Sequence, residues 1–278
     1  MIDLRYVRTR LAINAIVNTL NIDHCGSDSD HYFVQLANGL RFYGFIAPSK
    51  LKKYYLGLSR SVKRTLPFEC YFIACDIAIR YVEGGLKFQG PKKERKYTAK
   101  PGDYISEMGA YRGYYTLYLR EKIGPSGRIM AIEPNPENFA LLKKNVDYNG
   151  FDNVDLVHGA IWDECTELNF QMRQGDGQSG SVDLSYADAI NYKVDAYTLD
   201  ELLQVNAWSH VDFMLIQLNG AELRALHGLD GIKPLHFSIA ARYYEKESPM
   251  PDLIRDLLKS RGYEVEIVEE DYIYAAMQ

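Results

Sequence analysis

The chain has 278 residues, enough for one large or two small domains with a full core, and 47% of them are hydrophobic, which excludes a disordered chain. No apolar run reaches membrane-spanning length. The opening MIDLRYVRTRLAINAIVNTL carries Asp3 and Arg5 and continues amphipathically, unlike a secretory signal, so a soluble cytoplasmic protein without a membrane span is expected.

The net charge of −5 is unevenly divided: residues 1–100 hold 17 Lys/Arg and 8 Asp/Glu, and residues 101–278 hold 15 and 29. A basic amino-terminal half either meets an anionic partner or pairs with the acidic remainder. Residues 4–20 carry apolar positions at helical spacing and predict a first helix. YFVQLANGLRFYGF (32–45) is two β-rich arms around Asn38-Gly39, or around a loop widened by Ala37, and predicts a hairpin. A helical region follows over roughly 49–83, broken near Pro67, with Lys53, Arg60 and Arg64 on one face. The Lys-rich connector KFQGPKKERKYTAKPGD (87–103) contains the expected domain boundary.

From residue 103 strands alternate with helices. YISEMG is a strand and GYYTLYLREKIG a helix; GRIMAIEP is a strand and PENFALLKKNVDYNG a helix from Pro136 to Gly150. VDLVHGAIWD, a polar loop (173–181) and YKVDAYTLDELL, a strand entering a helix, come next. DFMLIQLNGAE is a buried strand running into a helix, LHFSIAARYY a strand, PDLIRDLLKSRGY a helix, and YEVEIVEEDYIYAAM a closing hairpin. This alternation implies a parallel, doubly wound sheet with an antiparallel strand at its carboxyl end. Cys25, Cys70, Cys75 and Cys165 form no CxxC pair and no zinc-ligand spacing, so reduced thiols and no metal site are expected.

Gly109 and Gly113 stand four apart where the first of these strands turns into its helix, a place where small residues admit a ligand to the backbone. Position 111 is Tyr, so this is not a dinucleotide fingerprint. Glu107, just before the turn, would repel a pyrophosphate but suits an ammonium. Glu133 ends the second strand, twenty residues past Gly113, where an acid accepts the hydroxyls of a ribose. Ala160 and Ile161 follow the third strand and supply amides and apolar surface for a base. A nucleoside that carries a charged amino acid and no phosphate is S-adenosylmethionine.

PGDYISEMGAYRGYYTLYL, IEPNPENFALLKKNVDYNG, VDLVHGAIWDE, YTLDELL and VDFMLIQLNGAELRALHGL, in this order and spacing, resemble the FkbM-type S-adenosylmethionine-dependent methyltransferases over residues 100–245. The resemblance implies a seven-stranded, Rossmann-like class I methyltransferase domain over 96–278; residues 1–95, which it does not cover, are expected from their charge and helix-and-hairpin pattern to form a smaller basic α+β domain or lid. It implies cofactor contacts from Glu107, Gly109, Ala110, Gly113, Glu133, Pro134, Ala160 and Ile161, and O-methylation of a small molecule or glycan. The family's usual KIDIEGAE is here LIQLNGAE, so acids become the amides Gln217 and Asn219, while Glu222 remains. Past the next strand Ala240 and Arg242 replace a frequent Glu and His.

Amides do not titrate and bind hard cations weakly. Gln217, Asn219, Glu222 and Arg242 are therefore the candidates for the acceptor side, beside His158, His210, His227 and His236 as alternative bases. Three functions remain open: methylation of a small molecule or glycan, a degenerate methyltransferase fold acting as a binding or scaffold subunit, and RNA methylation through the basic half. A homo-oligomer or a catalytic partner protein would complete a site lacking its base.

Overall fold

A computed structural model describes residues 17, 20–45, 66–80, 93–173, 189–245 and 247–278. Most of the helix expected over 4–20, the Lys53, Arg60 and Arg64 face, and nearly all of the polar loop 173–181 lie outside the described residues. The chain divides into two units. One comprises Met1–Lys92, Arg112–Tyr118 and Leu141–Phe151; the other comprises Lys93–Tyr111, Leu119–Ala140 and Asp152–Gln278.

The first unit contains the expected hairpin, β2 (Tyr32–Leu36) and β3 (Arg41–Gly44), with β1 (Ile22–Ser27) added antiparallel to β2. The loop is the wider alternative, Ala37-Asn38-Gly39, closed by Leu36 N–H to Leu40 O at 2.9 Å, with Gly39 left-handed at φ 94°. β1 escapes the sequence reading because IDHCGS has no period-2 apolar alternation and few β-formers. Within the helical region expected over 49–83, α1 (Phe68–Arg80) starts just after Pro67, and its Tyr71 N–H bonds Pro67 O at 2.9 Å; residues 49–65 lie outside the described residues. Val34, Phe42, Ile73, Ile77, Tyr114 and Leu117 form this unit's core. Buried Asn145 accepts Tyr43 N–H at 2.7 Å and donates to Arg112 O at 2.8 Å.

The remaining elements follow in order: β4 (Tyr104–Met108), α2 (Tyr114–Ile123), β5 (Arg128–Glu133), α3 (Pro136–Tyr148), β6 (Val154–His158), β7 (Ala160–Ile161), β8 (Thr166–Arg173), β9 (Ala189–Tyr197), α4 (Leu199–Val205), β10 (Phe213–Ile216), α5 (Glu222–His227), β11 (His236–Ala240), β12 (Tyr244–Glu245), β13 (Ser248–Pro249), α6 (Met250–Ser260), β14 (Tyr263–Val268) and β15 (Tyr272–Met277). The second unit holds a seven-stranded sheet of order β14-β15-β11-β10-β4-β5-β6, in which only β15 runs antiparallel. Strand alternation buries both faces, as a parallel sheet requires. Met108, Met130, Ile132, Met214 and Ile216 join Leu199, Leu203, Ala225, Ile254 and Leu258 from α4, α5 and α6 in one cluster. Ile105, Ile129, Phe213 and Leu215 are just as inaccessible on the other face.

Two expectations are corrected. The strand read in YKVDAYTLDELL does not join the parallel sheet; β9 pairs antiparallel with β8, a strand absent from the sequence reading, and parallel with β7. VDLVHGAIWD is likewise two strands, β6 in the large sheet and β7 in the small one. The chain changes sheets at Gly159, where a Cβ would lie 2.6 Å from the Tyr197 ring. Periodicity reports which residues alternate and carries no information on which neighbour a strand takes.

Candidate functional site

Strand order reverses between β4 and β10, and in open α/β sheets ligands bind at the carboxyl ends of the strands where this happens. Two turns meet there. Gln217 N–H makes the last ladder bond, to Met108 O at 3.1 Å. Gly109, at φ 81°, then passes so close that a Cβ would fall 2.3 Å from Gln217 O. Only glycine satisfies both the left-handed backbone and that approach.

The first turn is held by Glu133, at the end of β5. Its buried carboxylate accepts Tyr111 N–H at 2.8 Å, Asn135 N–H at 3.1 Å and the Asn138 amide at 3.4 Å. Tyr111 is left-handed at φ 56°, a costly conformation for a bulky residue, and the carboxylate sits where it stabilises that backbone. Asn135 also caps α3, its Oδ1 accepting Glu137 and Asn138 N–H, both at 2.9 Å. Burial pushes Glu133 up to about 7, outweighing these donors, with buried Glu107 adding a like charge. A carboxylate has about four acceptor sites, and the three donors leave capacity for a ligand hydroxyl. Two buried acids at the carboxyl ends of the neighbouring strands β4 and β5 suit a ligand that brings hydroxyls and positive charge, as S-adenosylmethionine does.

The second turn is held by Glu222, the first residue of α5 and fully buried. Its Oε1 accepts Leu218 N–H and its Oε2 accepts Gly220 N–H, each at 2.9 Å. Asn219 is left-handed at φ 54°, and the Tyr243 ring lies 3.8 Å from where a Gly220 Cβ would stand. Burial raises the Glu222 carboxyl above its ordinary range against the opposing backbone donors.

The structure thus brings Glu107, Gly109, Ala110, Glu133, Gln217, Asn219 and Glu222 to the ends of adjacent strands, with Pro134 following Glu133. Ala160 and Ile161 are buried in β7, just past the end of β6. Gly113 lies in the first unit, left-handed at φ 78°, with Leu142 Cδ1 2.6 Å from a Cβ placed there. Arg242 is exposed and engages Tyr272, the first residue of β15, and Asp271 just before it. His210 and His236 stand at the amino ends of β10 and β11, away from the glycine turn, and His236 stacks on Tyr97 at 3.9 Å beside a cavity of about 730 Å³. His158 lies flat on Phe139, ring centroids 4.8 Å apart, and His227 ends α5. Among the described residues no cluster of three or more His, Cys, Asp or Glu is placed to hold a metal ion, and no helix is long and apolar enough to cross a membrane.

Asn135 and Asn138 are site supports that the sequence reading passed over, although the Asn-Pro-Glu-Asn run is a helix-start signal. Tyr192 of β9 was also missed. Its buried hydroxyl has no hydrogen-bond partner among the described residues, and Glu133 and Glu137 both act on it electrostatically. No local signal marks it, because an accessory strand delivers it.

Residues 107–265 match the methyltransferase FkbM domain. Among curated proteins the chain is 40% identical over 65 residues to catechol O-methyltransferase of Sus scrofa, covering 23% of this chain and 35% of that one. It is 32% identical over 76 residues to the transmembrane O-methyltransferase of Homo sapiens, covering 26% of each. The matched stretches therefore span between about a quarter and about a third of these relatives. Solved structures with a similar course include methyltransferase FkbM from Methylobacillus flagellatus KT (13% identity, TM-score 0.45, 98% of this chain and 60% of that one). Another is Aeropyrum pernix fibrillarin with natively bound S-adenosyl-L-methionine (14%, 0.42, 93% and 100%).

Proposed function

This chain belongs to the FkbM methyltransferase family, whose cofactor is S-adenosylmethionine, and we propose that it transfers a methyl group to a hydroxyl of a small molecule or glycan. The observation that carries the reading is Glu133: a buried carboxylate at the end of β5 with acceptor capacity left over, facing the turn that carries Gly109. In this reading Glu133 holds the ribose hydroxyls and Glu107 the amino group. Gly109, Ala110 and Gly113 line the cofactor with backbone, and Pro134, Ala160 and Ile161 enclose the base. The cofactor supplies a methyl carbon already activated on a sulfonium, so the protein's share is chiefly to place a nucleophile about 3–3.5 Å from it.

Gln217 and Asn219 orient the acceptor through amide hydrogen bonds and accept no proton. A base is worth about 10²–10⁴-fold to an alcohol, so amides in those places favour an acceptor acidic enough to ionise with little help. Residues 96–278 form the catalytic domain in this proposal, preceded by a basic amino-terminal domain or lid over 1–95. The cytoplasm is the proposed location, supported by four cysteines that are all unpaired.

The test is labelled S-adenosylmethionine offered to wild type and Glu133→Ala with a fractionated cell extract. Calorimetry reads binding, and label in the small-molecule or glycan fraction reads transfer. Label in RNA would overturn the acceptor class, and binding without transfer to any fraction would replace the enzyme by a binding subunit.

A further inference from the structure

We infer that Glu222 is a positioning residue: its enclosed carboxylate holds the turn that carries Gln217 and Asn219 and does not act as the base for the acceptor. The inference rests on the methyl-transfer reading above, since it concerns the acceptor side of that site.

β10 ends at Ile216, and after five intervening residues α5 begins at Glu222. Within that interval the backbone folds around the Glu222 side chain. Leu218 N–H meets one carboxylate oxygen and Gly220 N–H the other, both at 2.9 Å. The Asn219 N–H and Glu222's own N–H also act on the carboxylate. Successive N–H groups converging on an anion form a nest, a shape more familiar around bound phosphates. Here the anion is part of the chain.

The left-handed Asn219 and the positive φ of 113° at Gly220 give that nest its curvature. Asn and Gly both tolerate left-handed backbone, so the sequence permits this turn, and the hydrogen bonds to the carboxylate hold it. The carboxylate is what makes this conformation the stable one. The turn's position matters to the other side of the site as well, because Gln217 O abuts Gly109 with no room for a Cβ.

A raised carboxyl in a cleft ordinarily suggests a general base. Accessibility decides against it. Glu222 is 0% exposed, and both of its oxygens already accept backbone N–H groups. A base must come within hydrogen-bond reach of the proton it takes, and Glu222 reaches only its own turn. Its effect on methyl transfer passes through Gln217 and Asn219, which are half-buried on the same turn.

The experiment compares the full-length wild type with Glu222→Gln and, in case that variant does not fold, Glu222→Asp. Hydrogen exchange is read by mass spectrometry over 213–222 and 104–113, alongside S-adenosylmethionine binding and label transfer across pH. Gln presents an NH2 to one of the two N–H groups, so exchange over 217–222 should quicken about tenfold or more, with 104–113 little changed. Cofactor affinity should stay within about threefold while transfer per folded molecule falls about tenfold or more, and the acid limb of the pH profile should persist.

Unchanged exchange over 217–222 would overturn the clamp. Loss of the acid limb would make Glu222 the base. A lowered Tm with normal transfer per folded molecule would make its role structural only. If the wild type binds no S-adenosylmethionine, the proposed function fails, and the exchange measurement still decides the clamp by itself.

Discussion

The turns after β4 and β10 are built alike and equipped differently. Each contains a left-handed residue other than glycine, Tyr111 or Asn219, and each is held by a buried glutamate whose carboxyl is raised by burial. Glu133 reaches its turn from a neighbouring strand and spends part of its acceptor capacity on that task. Glu222 reaches back from within its own turn and is enclosed by it. In the proposed function the same clamp leaves the Glu133 carboxylate acceptor capacity for a ligand and commits that of Glu222 to its own turn. The acid proposed to bind the cofactor and the one proposed to position the acceptor side thus differ in the direction from which each reaches its turn.

The largest effect is expected where the turns touch. Gly109→Ala drives a methyl group onto Gln217 O in a left-handed backbone, and both turns must yield. A loss of several kcal/mol, on the scale of the most damaging point mutations, is expected in denaturant unfolding. Gly113→Ala, whose Cβ meets the end of a flexible Leu142 side chain, should cost only the left-handed penalty of about 1–2 kcal/mol. Equal costs for the two would refute the close approach.

Glu133→Ala removes the clamp of the first turn together with the proposed hydroxyl acceptor. Hydrogen bonds to a charged group are worth about 1.5–3 kcal/mol each, so calorimetry should read a loss of S-adenosylmethionine affinity of about 100-fold or more.

The pH dependence separates burial from bonding. With Glu133 raised from 4.5 to about 7, the folded chain holds a proton that the unfolded chain has already released. The stability it contributes is complete below about pH 4.5 and is lost as pH rises through about 7, on the order of 3 kcal/mol. Unfolding at pH 5 and pH 8 should show wild type losing more across this interval than Glu133→Gln. The opposite slope would mean that hydrogen bonding, not burial, governs the group.

The smallest effects compare the strained residues themselves. Tyr111→Gly should gain about 1 kcal/mol of backbone relief, offset by the lost side chain, whereas Asn tolerates the left-handed region and Asn219→Gly should change stability by only a few tenths. Thermal unfolding of the two variants would order them. A larger gain at Asn219 would mean that its turn is the more strained.

Much of this molecule was legible in the chain because the relevant physics is local. Asn38-Gly39 between β-rich arms, Pro136 opening α3 and left-handed Gly150 past its end each act through their own φ/ψ preferences. The glycine turn and the acid twenty residues on are likewise readable as spacing.

By itself, then, the sequence determined the alternation of strands and helices, the family, and the set of acids and amides at the strand ends, because periodicity and motif spacing are properties of neighbouring residues. Only the tertiary structure decided that β9 leaves the large sheet for β8, that His210 and His236 stand at the amino ends of their strands, away from the glycine turn, and that Glu222 is held by its own turn while Glu133 reaches a turn of the neighbouring strand. Those outcomes depend on which groups meet across long stretches of chain, and on which backbone N–H groups reach a carboxylate first.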